Sequence, residues 1–297
     1  MIIEGIEFSS PDRVVYPDTG ITKRELAEYY VAIAPLMLPH MAERPISMVR
    51  CPQGQGSKCF YQKHWSHAVP AGVGTVDVRE NGGETEPYVF VHNASGLVAL
   101  VQYGVMEFHT WGTKKDRIES PDRIVFDLDP APDVKWQRVV DLARELRELL
   151  GECGLETWIR TTGGKGLHVV LPIQRTVTWD DVHDFVRLTT AQLIRRHPNE
   201  LLDVASKARR TGKIFVDFLR NSRGATAIAP WSTRAREGAP VSVPCTWSDL
   251  DTLESGDGVN MRAALEFARS LPADPWATML ESRQKLTQKV LEKLLLM

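Results

Sequence analysis

Two aspartates one residue apart end a predicted buried strand in the middle of the chain. Asp127 and Asp129 lie in the segment 123–130, R-I-V-F-D-L-D-P. Because side chains alternate along a strand, the two carboxylates face the same way and repel each other. A divalent cation, Mg²⁺ or Mn²⁺, would relieve that repulsion, and carboxylate-bound Mg²⁺ is typical of nucleotidyl transfer. The alternative is an acidic pair that is solvated by water or faces an arginine.

A third carboxylate lies in the apolar segment 214–220, I-F-V-D-F-L-R. An unpaired Asp217 in such a strand is costly, so it needs a cation or a metal ion. The preferred interpretation is a third metal ligand that converges on Asp127 and Asp129. A salt bridge to Arg220 or Arg223 is the alternative.

A glycine-rich turn joins two predicted strands at residues 161–168, T-T-G-G-K-G-L-H. It is not a Walker A loop, because the required spacing is missing and a strand follows in place of a helix. Its backbone N–H groups, with Lys165 and His168, would suit a triphosphate. A plain hairpin turn is the alternative.

Positive charge is concentrated in one part of a chain whose net charge is only −2. Residues 205–236 contain one acid, Asp217, and eight basic residues: Lys207, Arg209, Arg210, Lys213, Arg220, Arg223, Arg234 and Arg236. Such a block predicts a local polyanion site. A solvated basic face is the alternative, and the lone acid argues against it.

Residues 60–65, F-Y-Q-K-H-W, interleave aromatic rings with basic side chains. That pattern suits stacking on nucleic-acid bases, although core packing explains any single ring equally well. Cys51, Cys59, His64 and His67 are zinc-ligand types at unfavourable spacing. His109, taken alone, is interpreted as a structural histidine.

The 297 residues have ordinary globular composition, with 43% hydrophobic side chains. The sequence shows no membrane-spanning run and no leader, and its four cysteines form no C-x-x-C pair, so a reduced cytoplasmic protein is expected.

A capping box at 22–25 opens a helix that Pro35 is expected to kink or end. Further predicted helices are 95–103, 134–150, 178–196, 261–270 and 276–295. Predicted hairpins, one around Asn81, favour a mixed α+β fold.

The set of motifs resembles the polymerase domain of bacterial DNA ligase D, in the archaeo-eukaryotic primase superfamily. D-L-D-P, T-T-G-G-K-G-L-H and I-F-V-D-F-L-R-N-S-R-G-A occur in that order. R-V-V-Y-P-D-T-G-I-T-K, C-F-Y-Q-K-H, M-E-F-H-T-W and P-W-S-T-R-A-R-E-G-A-P-V-S-V-P extend the resemblance over nearly the whole chain.

This resemblance implies an α+β primase-polymerase core, with mixed or antiparallel sheets flanked by helices. It implies one domain, 1–297, with a DNA-binding part (1–115), a catalytic core (116–240) and a helical part (241–297). The implied activity is metal-dependent, template-directed gap filling and end extension in non-homologous end joining, with ready use of ribonucleotides. The implied partners are DNA gaps and ends, a 5′-phosphate, a ligase and Ku-type proteins. The implied location is the nucleoid. A stand-alone repair primase-polymerase and a non-catalytic DNA-end-binding module remain the alternatives.

The resemblance also implies roles for individual residues. Two Mn²⁺ or Mg²⁺ ions would be bound by Asp127, Asp129 and Asp217, the last also helping to activate the primer 3′-hydroxyl. The incoming nucleotide would be contacted by His109, Thr162, Gly164, Lys165, His168, Arg220 and Arg234. DNA would be contacted by Arg13, Lys23, Arg50, Phe60 and Lys63, the first two holding a downstream 5′-phosphate.

The chain departs from the family's pattern at a few of these positions. The first basic position of the 5′-phosphate pocket is often lysine and is Arg13 here, while Ser10 replaces an asparagine of some members. Thr162 stands where serine is common, and Tyr61 stands where the second ring is phenylalanine. These changes bear on affinity more than on reaction type.

Overall fold

The computed structural model of the protein describes residues 1–80, 82–204 and 210–297. The predicted turn residue Asn81 and the basic residues Lys207 and Arg209 lie outside the described residues. The helices are α1 (Lys23–Met41), α2 (Ala94–Gln102), α3 (Trp136–Glu152), α4 (Trp179–Arg196), α5 (Met261–Ser270) and α6 (Gln288–Leu295). The strands are β1 (Ile2–Ile3), β2 (Ile6–Glu7), β3 (Val14–Tyr16), β4 (Ile21–Thr22), β5 (Ile46–Arg50), β6 (Phe60–Gln62), β7 (Val73–Arg79), β8 (Thr85–Val91), β9 (Val105–Trp111), β10 (Arg123–Pro130), β11 (Trp158–Thr161), β12 (Leu167–Pro172), β13 (Leu201–Leu202), β14 (Ile214–Asp217), β15 (Thr226–Ile228) and β16 (Pro244–Cys245).

Two large sheets organise these strands. Sheet I has the order β13-β14-β10-β12-β11-β16, and sheet II has the order β15-β9-β5-β8-β7, with β6 beside β5. The β13–β14 pair is parallel, whereas β14–β10, β10–β12, β12–β11 and β11–β16 are antiparallel. This mixed α+β architecture confirms the predicted fold class. The division into parts at 115 and 240 stays a prediction.

Strand β10 lies in the interior of sheet I, where both of its faces are covered. Ile124, Phe126 and Leu128 pack into the core that α3 and α4 share with this sheet. The alternate side chains, among them Val125 and Asp127, face the other way. Val125 belongs to a small cluster with Ala227 of sheet II, so the carboxylates face the space between the sheets.

Helix α1 begins as predicted and continues past Pro35. Thr22 and Glu25 form a full capping box at its start. Of the two effects expected at Pro35, a kink or an end, the end is excluded, because α1 continues through Pro35 and Pro39 to Met41. Burial of its apolar face in the core outweighs the backbone hydrogen bonds that the prolines cannot donate.

The chain's last predicted helix, 276–295, is also corrected. A single 3₁₀ turn, Ala277–Leu280, and the separate helix α6 replace it. Trp276 is fully buried and donates from Nε1 to the carbonyl of Ile159, which fixes the chain against sheet I before α6 starts. No helix in the described part of the chain is long and apolar enough to cross a lipid bilayer.

Candidate functional site

The strand register brings the predicted carboxylates together. Asp127 of β10 lies directly opposite Asp217 of β14, and Asp129 lies opposite Phe215. Directly opposed residues of antiparallel strands have neighbouring side chains on one face. The predicted convergence of the three carboxylates therefore has its structural basis in one strand pair.

Two guanidinium groups lie among these carboxylates. Arg220 Nε is 3.3 Å from Asp127 Oδ2 and 3.2 Å from Asp217 Oδ2. Arg210 Nη1 is 2.5 Å from Asp129 Oδ2. The structure therefore also contains the contacts between acids and arginines that the alternative interpretations expect. Among residues 1–80, 82–204 and 210–297, no group of three or more His, Cys, Asp or Glu side chains is placed to hold a metal ion.

The pKa values of the carboxylates differ with their surroundings. Burial alone would raise the pKa of Asp127, but His168 and Arg220 hold it at about 2. Burial and the charge of Asp127 raise the pKa of both Asp129 and Asp217. The three carboxylates therefore differ in pKa, although two arginines lie among them.

Strand β12 is the other neighbour of β10, and its residue His168 lies directly opposite Asp127. Its Nε2 is 3.4 Å from Asp127 Oδ1, and its Nδ1 accepts from Arg160 Nη2 at 2.9 Å. Burial and the charge of Arg160 lower the pKa of His168 to about 4, so the ring is neutral at pH 7. Because Arg160 donates to Nδ1, the ring proton is on Nε2 and points to Asp127. Arg160 is a site residue that the sequence analysis missed.

The glycine turn between β11 and β12 is organised by Thr162. Its Oγ1 accepts from the N–H groups of Gly164 and Gly166, both at 3.2 Å. At Gly166 an added Cβ would lie 2.0 Å from the carbonyl oxygen of Leu128, between the two aspartates of β10. Glycine is required there because the turn packs directly on the strand that carries the carboxylates.

A cleft of about 530 Å³ lies between the carboxylates and the glycine turn. All seven predicted nucleotide-binding residues line it: His109, Thr162, Gly164, Lys165, His168, Arg220 and Arg234. Asp127, Asp129, Arg210 and Arg236 complete its charged wall. Asp217 does not line the cleft and lies beside it, next to Asp127. The seven residues thus lie around one cleft, and their contact with a nucleotide stays a prediction.

A buried acid, Glu107, organises one side of the cleft and was not singled out from the sequence. Its Oε2 is 2.8 Å from His109 Nε2 and 3.1 Å from Arg234 Nε. Burial would raise its pKa, but His109 and Arg234 hold it at about 2. Arg234 in turn donates from Nη1 to the carbonyl of Thr162 in the glycine turn. His109 is therefore part of a polar network at the cleft, in contrast to its interpretation as an isolated structural residue.

The basic block divides between the cleft and the outer surface. Arg210, Arg220, Arg234 and Arg236 line the cleft. Arg223 instead forms a salt bridge with Glu119, with Nη2 to Oε1 at 2.8 Å, so it is not the partner of Asp217.

The β5–β6 pair carries two of the predicted DNA contacts, Arg50 and Phe60, and Lys63 follows directly after β6. Arg50 lies opposite Phe60, and its guanidinium is 5.5 Å from that ring. Arg50 is buried and donates to the carbonyl of Tyr103, whereas Phe60 is 41% exposed and Lys63 is exposed. Phe60 and Lys63 are thus open to a partner, and contact of all three with DNA stays a prediction.

Tyr61 connects this pair to the cleft. Its ring contacts the His109 ring edge-to-face at 5.7 Å, and its hydroxyl is 2.7 Å from Thr226 Oγ1 in β15. The predicted stacking surface and the cleft are therefore neighbours.

The prediction of reduced cysteines is wrong for one pair. Cys51 and Cys59 form a disulfide, so their thiolates are not available as zinc ligands. The β5–β6 register pairs Arg50 with Phe60, and continuing it by one residue places the two cysteines opposite each other, with Cα atoms 4.3 Å apart. Cys153 and Cys245 are free and buried.

The predicted 5′-phosphate pair lies where α1 begins. The Lys23 N–H donates to the Arg13 carbonyl at 2.8 Å, so the chain folds the two residues together as predicted. Lys23 is only 2% exposed, and its Nζ donates to the Ser9 carbonyl and to Gln102 Oε1. Both acceptors are neutral. Burial and the charge of Arg13 lower the pKa of Lys23 to about 8. Lys23 is therefore not an ordinary exposed helix lysine.

Comparison with known proteins places the chain in a family. The family model "LigD, primase-polymerase domain" matches residues 22–276. The chain is 40% identical over 284 residues to the multifunctional non-homologous end joining protein LigD of Pseudomonas aeruginosa, covering 95% of this chain and 34% of that protein. It is 32% identical over 249 residues to the Mycolicibacterium smegmatis LigD, covering 83% of this chain and 32% of that protein. The chain therefore spans about a third of the length of these relatives.

A solved structure supports the same assignment. The polymerase domain from Mycobacterium tuberculosis ligase D, in complex with DNA, superposes with a TM-score of 0.85 and is 29% identical. The match covers 94% of this chain and 99% of that one. The order of motifs, the fold and the family model agree, and the chain belongs to the LigD primase-polymerase domain family.

Proposed function

We propose that this chain is a metal-dependent, template-directed nucleotidyltransferase that fills gaps and extends DNA ends in non-homologous end joining. The observation that carries the proposal is the cleft in which Asp127 and Asp129 face the glycine turn and its cations, with Asp217 beside them. Phosphoryl transfer requires mainly positioning and charge neutralisation, and this cleft provides groups for both.

The donor set fits Mg²⁺ or Mn²⁺. Asp127, Asp129 and Asp217 supply only carboxylate oxygens, which hard divalent cations prefer. Burial and the charge of Asp127 raise the pKa of Asp129 and of Asp217, and a divalent cation beside them would favour their ionised forms. Two bound ions would stabilise the charge that develops as a phosphate bond is exchanged. Arg210 and Arg220 lie among these oxygens, so ion binding requires both guanidiniums to move.

The chain's own residues would hold and orient the nucleotide. Lys165 is exposed at the tip of the glycine turn, where its ammonium suits a terminal phosphate. Arg220 and Arg234 present planar guanidiniums that match phosphate oxygens. Glu107 contacts both His109, which is assigned to the sugar, and Arg234, which is assigned to the phosphates. The two groups are therefore held in a fixed position relative to each other. Asp217, next to Asp127, is assigned to the primer 3′-hydroxyl.

The DNA contacts are assigned to surfaces on either side of this cleft. The exposed Phe60 ring would stack on a template base, and Lys63 would contact the backbone. Lys23 and Arg13 would hold a 5′-phosphate, because Arg13 lies close enough for its charge to lower the pKa of Lys23, and an anion between the two would be stabilised. The solved relative named above is a complex with DNA, which supports this part of the proposal.

The wider context is proposed from the relatives' names. The longer relatives are named as multifunctional end-joining proteins. We therefore assign this chain a role in end joining, and the resemblance in sequence motifs adds a DNA ligase activity, a Ku-type end-binding protein and a nucleoid location to the proposal.

A gap-filling assay tests the proposal. Purified protein with Mn²⁺ is given gapped or blunt DNA and either NTPs or dNTPs, and extension of a labelled primer is measured. Template-dependent incorporation on gapped DNA, with ribonucleotides used readily, is expected. Tight DNA binding without incorporation under Mn²⁺ or Mg²⁺ would instead favour a non-catalytic end-binding module.

A further inference from the structure

A second cationic cleft lies at the opposite end of the strands that carry the catalytic carboxylates. It has a volume of about 450 Å³ and is lined by Arg123 of β10 and Pro172 of β12. These two residues are cross-strand partners, four positions along the register from the Asp127–His168 pair. At a strand rise of about 3.3 Å per residue, the two positions are separated by roughly 13 Å. We name this feature the distal cleft.

The floor of the distal cleft contains two buried arginines and one acid. Arg44 binds Asp122 through both of its terminal nitrogens, at 2.6 and 2.9 Å. Arg123 is 6% exposed and donates from Nη1 to the carbonyl of His40 at 3.0 Å, a neutral partner. The single carboxylate, Asp122, therefore neutralises only one of the two buried arginines. Burial and the neighbouring Arg44 hold the pKa of Arg123 well below its usual range.

The rim adds four more cations. Arg175 is neutralised by Asp116, at 2.7 and 2.8 Å. Arg117 donates to the carbonyl of Arg175, and Arg283 donates to the carbonyls of Leu280 and Ser282. Lys114 also lines this cleft.

The charge balance of the distal cleft is positive. Within the described parts of the chain, no salt bridge involves Arg123, Lys114, Arg117 or Arg283. Four cations with no direct acidic partner therefore converge on one small cleft, which is the condition that favours an anion there.

We propose that the distal cleft is a binding site for a small polyphosphate anion, either inorganic or the phosphate chain of a nucleoside polyphosphate. Arginine guanidiniums bind phosphate oxygens in pairs, and three of the four cations are arginines. The apolar lining consists of Pro39, Pro172, Ile173, Met279 and Leu280, and no aromatic ring is among the described lining residues. Recognition therefore rests on charge, without base stacking.

The size and depth of the distal cleft favour a small anion over a nucleic-acid strand. Its volume lies in the range of small-molecule sites. The buried Arg123 at the floor is reached by a group that enters the cleft, whereas a duplex backbone would contact only the exposed rim. The site is independent of the nucleotidyl-transfer proposal, because none of its residues belongs to the catalytic cleft.

Calorimetric titration with tripolyphosphate tests the site, using the full chain in metal-free buffer at fixed ionic strength. The rim variant Arg117→Ala/Arg283→Ala changes exposed side chains and should fold normally. Arg187→Ala/Arg196→Ala, on the exposed face of α4, removes the same charge elsewhere. Wild type and the α4 control should bind alike, and the rim variant should lose at least tenfold in affinity for one binding event. The variant Arg220→Ala, which is changed in the catalytic cleft, should still show the binding event that the rim variant weakens.

Several outcomes would overturn the proposal. If the rim variant binds tripolyphosphate as tightly as the wild type does, the distal cleft is not the binding site. Rim-dependent binding of a short single-stranded oligonucleotide that is tighter than that of tripolyphosphate would identify a strand-binding surface instead. Binding of ATP without binding of tripolyphosphate would show that a base is recognised. Equal, rim-dependent binding of ATP and tripolyphosphate supports recognition of the phosphate chain.

Discussion

Asp127 and Asp217 lie opposite each other on antiparallel strands and share the guanidinium of Arg220. Arg220 Nε is 3.3 Å from one carboxylate and 3.2 Å from the other. The arginine thus lies between two of the carboxylates that we propose as metal ligands. Exchange of this guanidinium for a divalent cation would convert the arrangement from a salt bridge into the proposed catalytic site.

Replacement of either aspartate of β10 tests the metal proposal. Asp127→Ala or Asp129→Ala should reduce nucleotide addition by about 10³-fold or more, because charge stabilisation by the lost ion is worth several kcal/mol. Affinity for gapped DNA should hardly change, since that binding depends on basic surfaces elsewhere. Primer extension and a DNA titration measure the two effects. Normal extension by both variants in saturating Mn²⁺ would exclude the proposed site.

Arg220→Ala separates nucleotide contact from DNA contact. We expect a higher KM for the nucleotide or a lower kcat, by roughly 10- to 100-fold, because a charged phosphate contact is worth about 1.5–3 kcal/mol. Steady-state extension against nucleotide concentration checks this, beside a titration with gapped DNA. The matched control is Arg223→Ala, which removes an arginine that binds Glu119 outside the cleft. Equal losses of nucleotide and DNA affinity would mean that Arg220 contacts DNA.

Glu107→Gln tests whether the buried acid positions His109 and Arg234. With a pKa of about 2, Glu107 is ionised at every working pH, and the amide removes its charge and replaces one acceptor oxygen by an NH2 donor. We expect nucleotide incorporation to fall about tenfold or more. The pKa of His109, measured by NMR, should fall, because Glu107 is the group that raises it against burial. An unchanged His109 titration would show that the pair is not coupled.

The 5′-phosphate proposal predicts a preference that depends on pH. A short gap with a 5′-phosphate should be bound more tightly than one with a 5′-hydroxyl, and Lys23→Ala should remove most of the difference. Because the pKa of Lys23 is about 8, its ammonium is present below that pH and is lost as the pH rises through it. The preference of the wild type should therefore weaken above pH 8, whereas a charge on Arg13 alone would persist.

Paired titrations at fixed salt decide this point. Lys23→Met is a useful second variant, because it fills most of the buried volume without the charge. No preference in the wild type, or an unchanged preference in both variants, would exclude this pocket.

Gly166→Ala tests the contact between the glycine turn and β10. The new Cβ would lie 2.0 Å from the carbonyl oxygen of Leu128, so the strand must shift beside both aspartates. We expect a loss of about 2–4 kcal/mol in unfolding free energy, and a loss of activity at temperatures where the variant is folded. The control Gly151→Ala, in α3 with open space around it, should be neutral or stabilising by up to about 1 kcal/mol. An active, stable Gly166→Ala variant would contradict this close approach.

Local patterns were sufficient to predict much of the site. Alternation along β10 predicted that Asp127 and Asp129 share a face, and the capping box at 22–25 predicted the start of α1. Both features depend on neighbours in the sequence. The order of motifs then supplied the cleft's wall, including His109, which no local pattern singles out.

Other features depend on contacts between distant residues and could not be read from the chain. Glu107 and Arg160 are ordinary charged residues in sequence, and only the packing of strands makes them partners of His109 and His168. The disulfide of Cys51 required knowledge that β6 pairs with β5. Tertiary burial also overrode the local signal at Pro35, where the helix continues.

The pairing of β10 with β14 ties enzymatic competence to correct folding. Side chains on β14 alternate, so a slip of one residue would place Val216 beside Asp127 and turn Asp217 towards the apolar core of α3 and α4. Burial of that unpaired charge makes the slipped form costly, and the slipped form would also lack the third carboxylate. The charge of Asp217 therefore disfavours the slipped pairing of β10 and β14. The acid that we propose for the reaction would also select the correct register of the sheet.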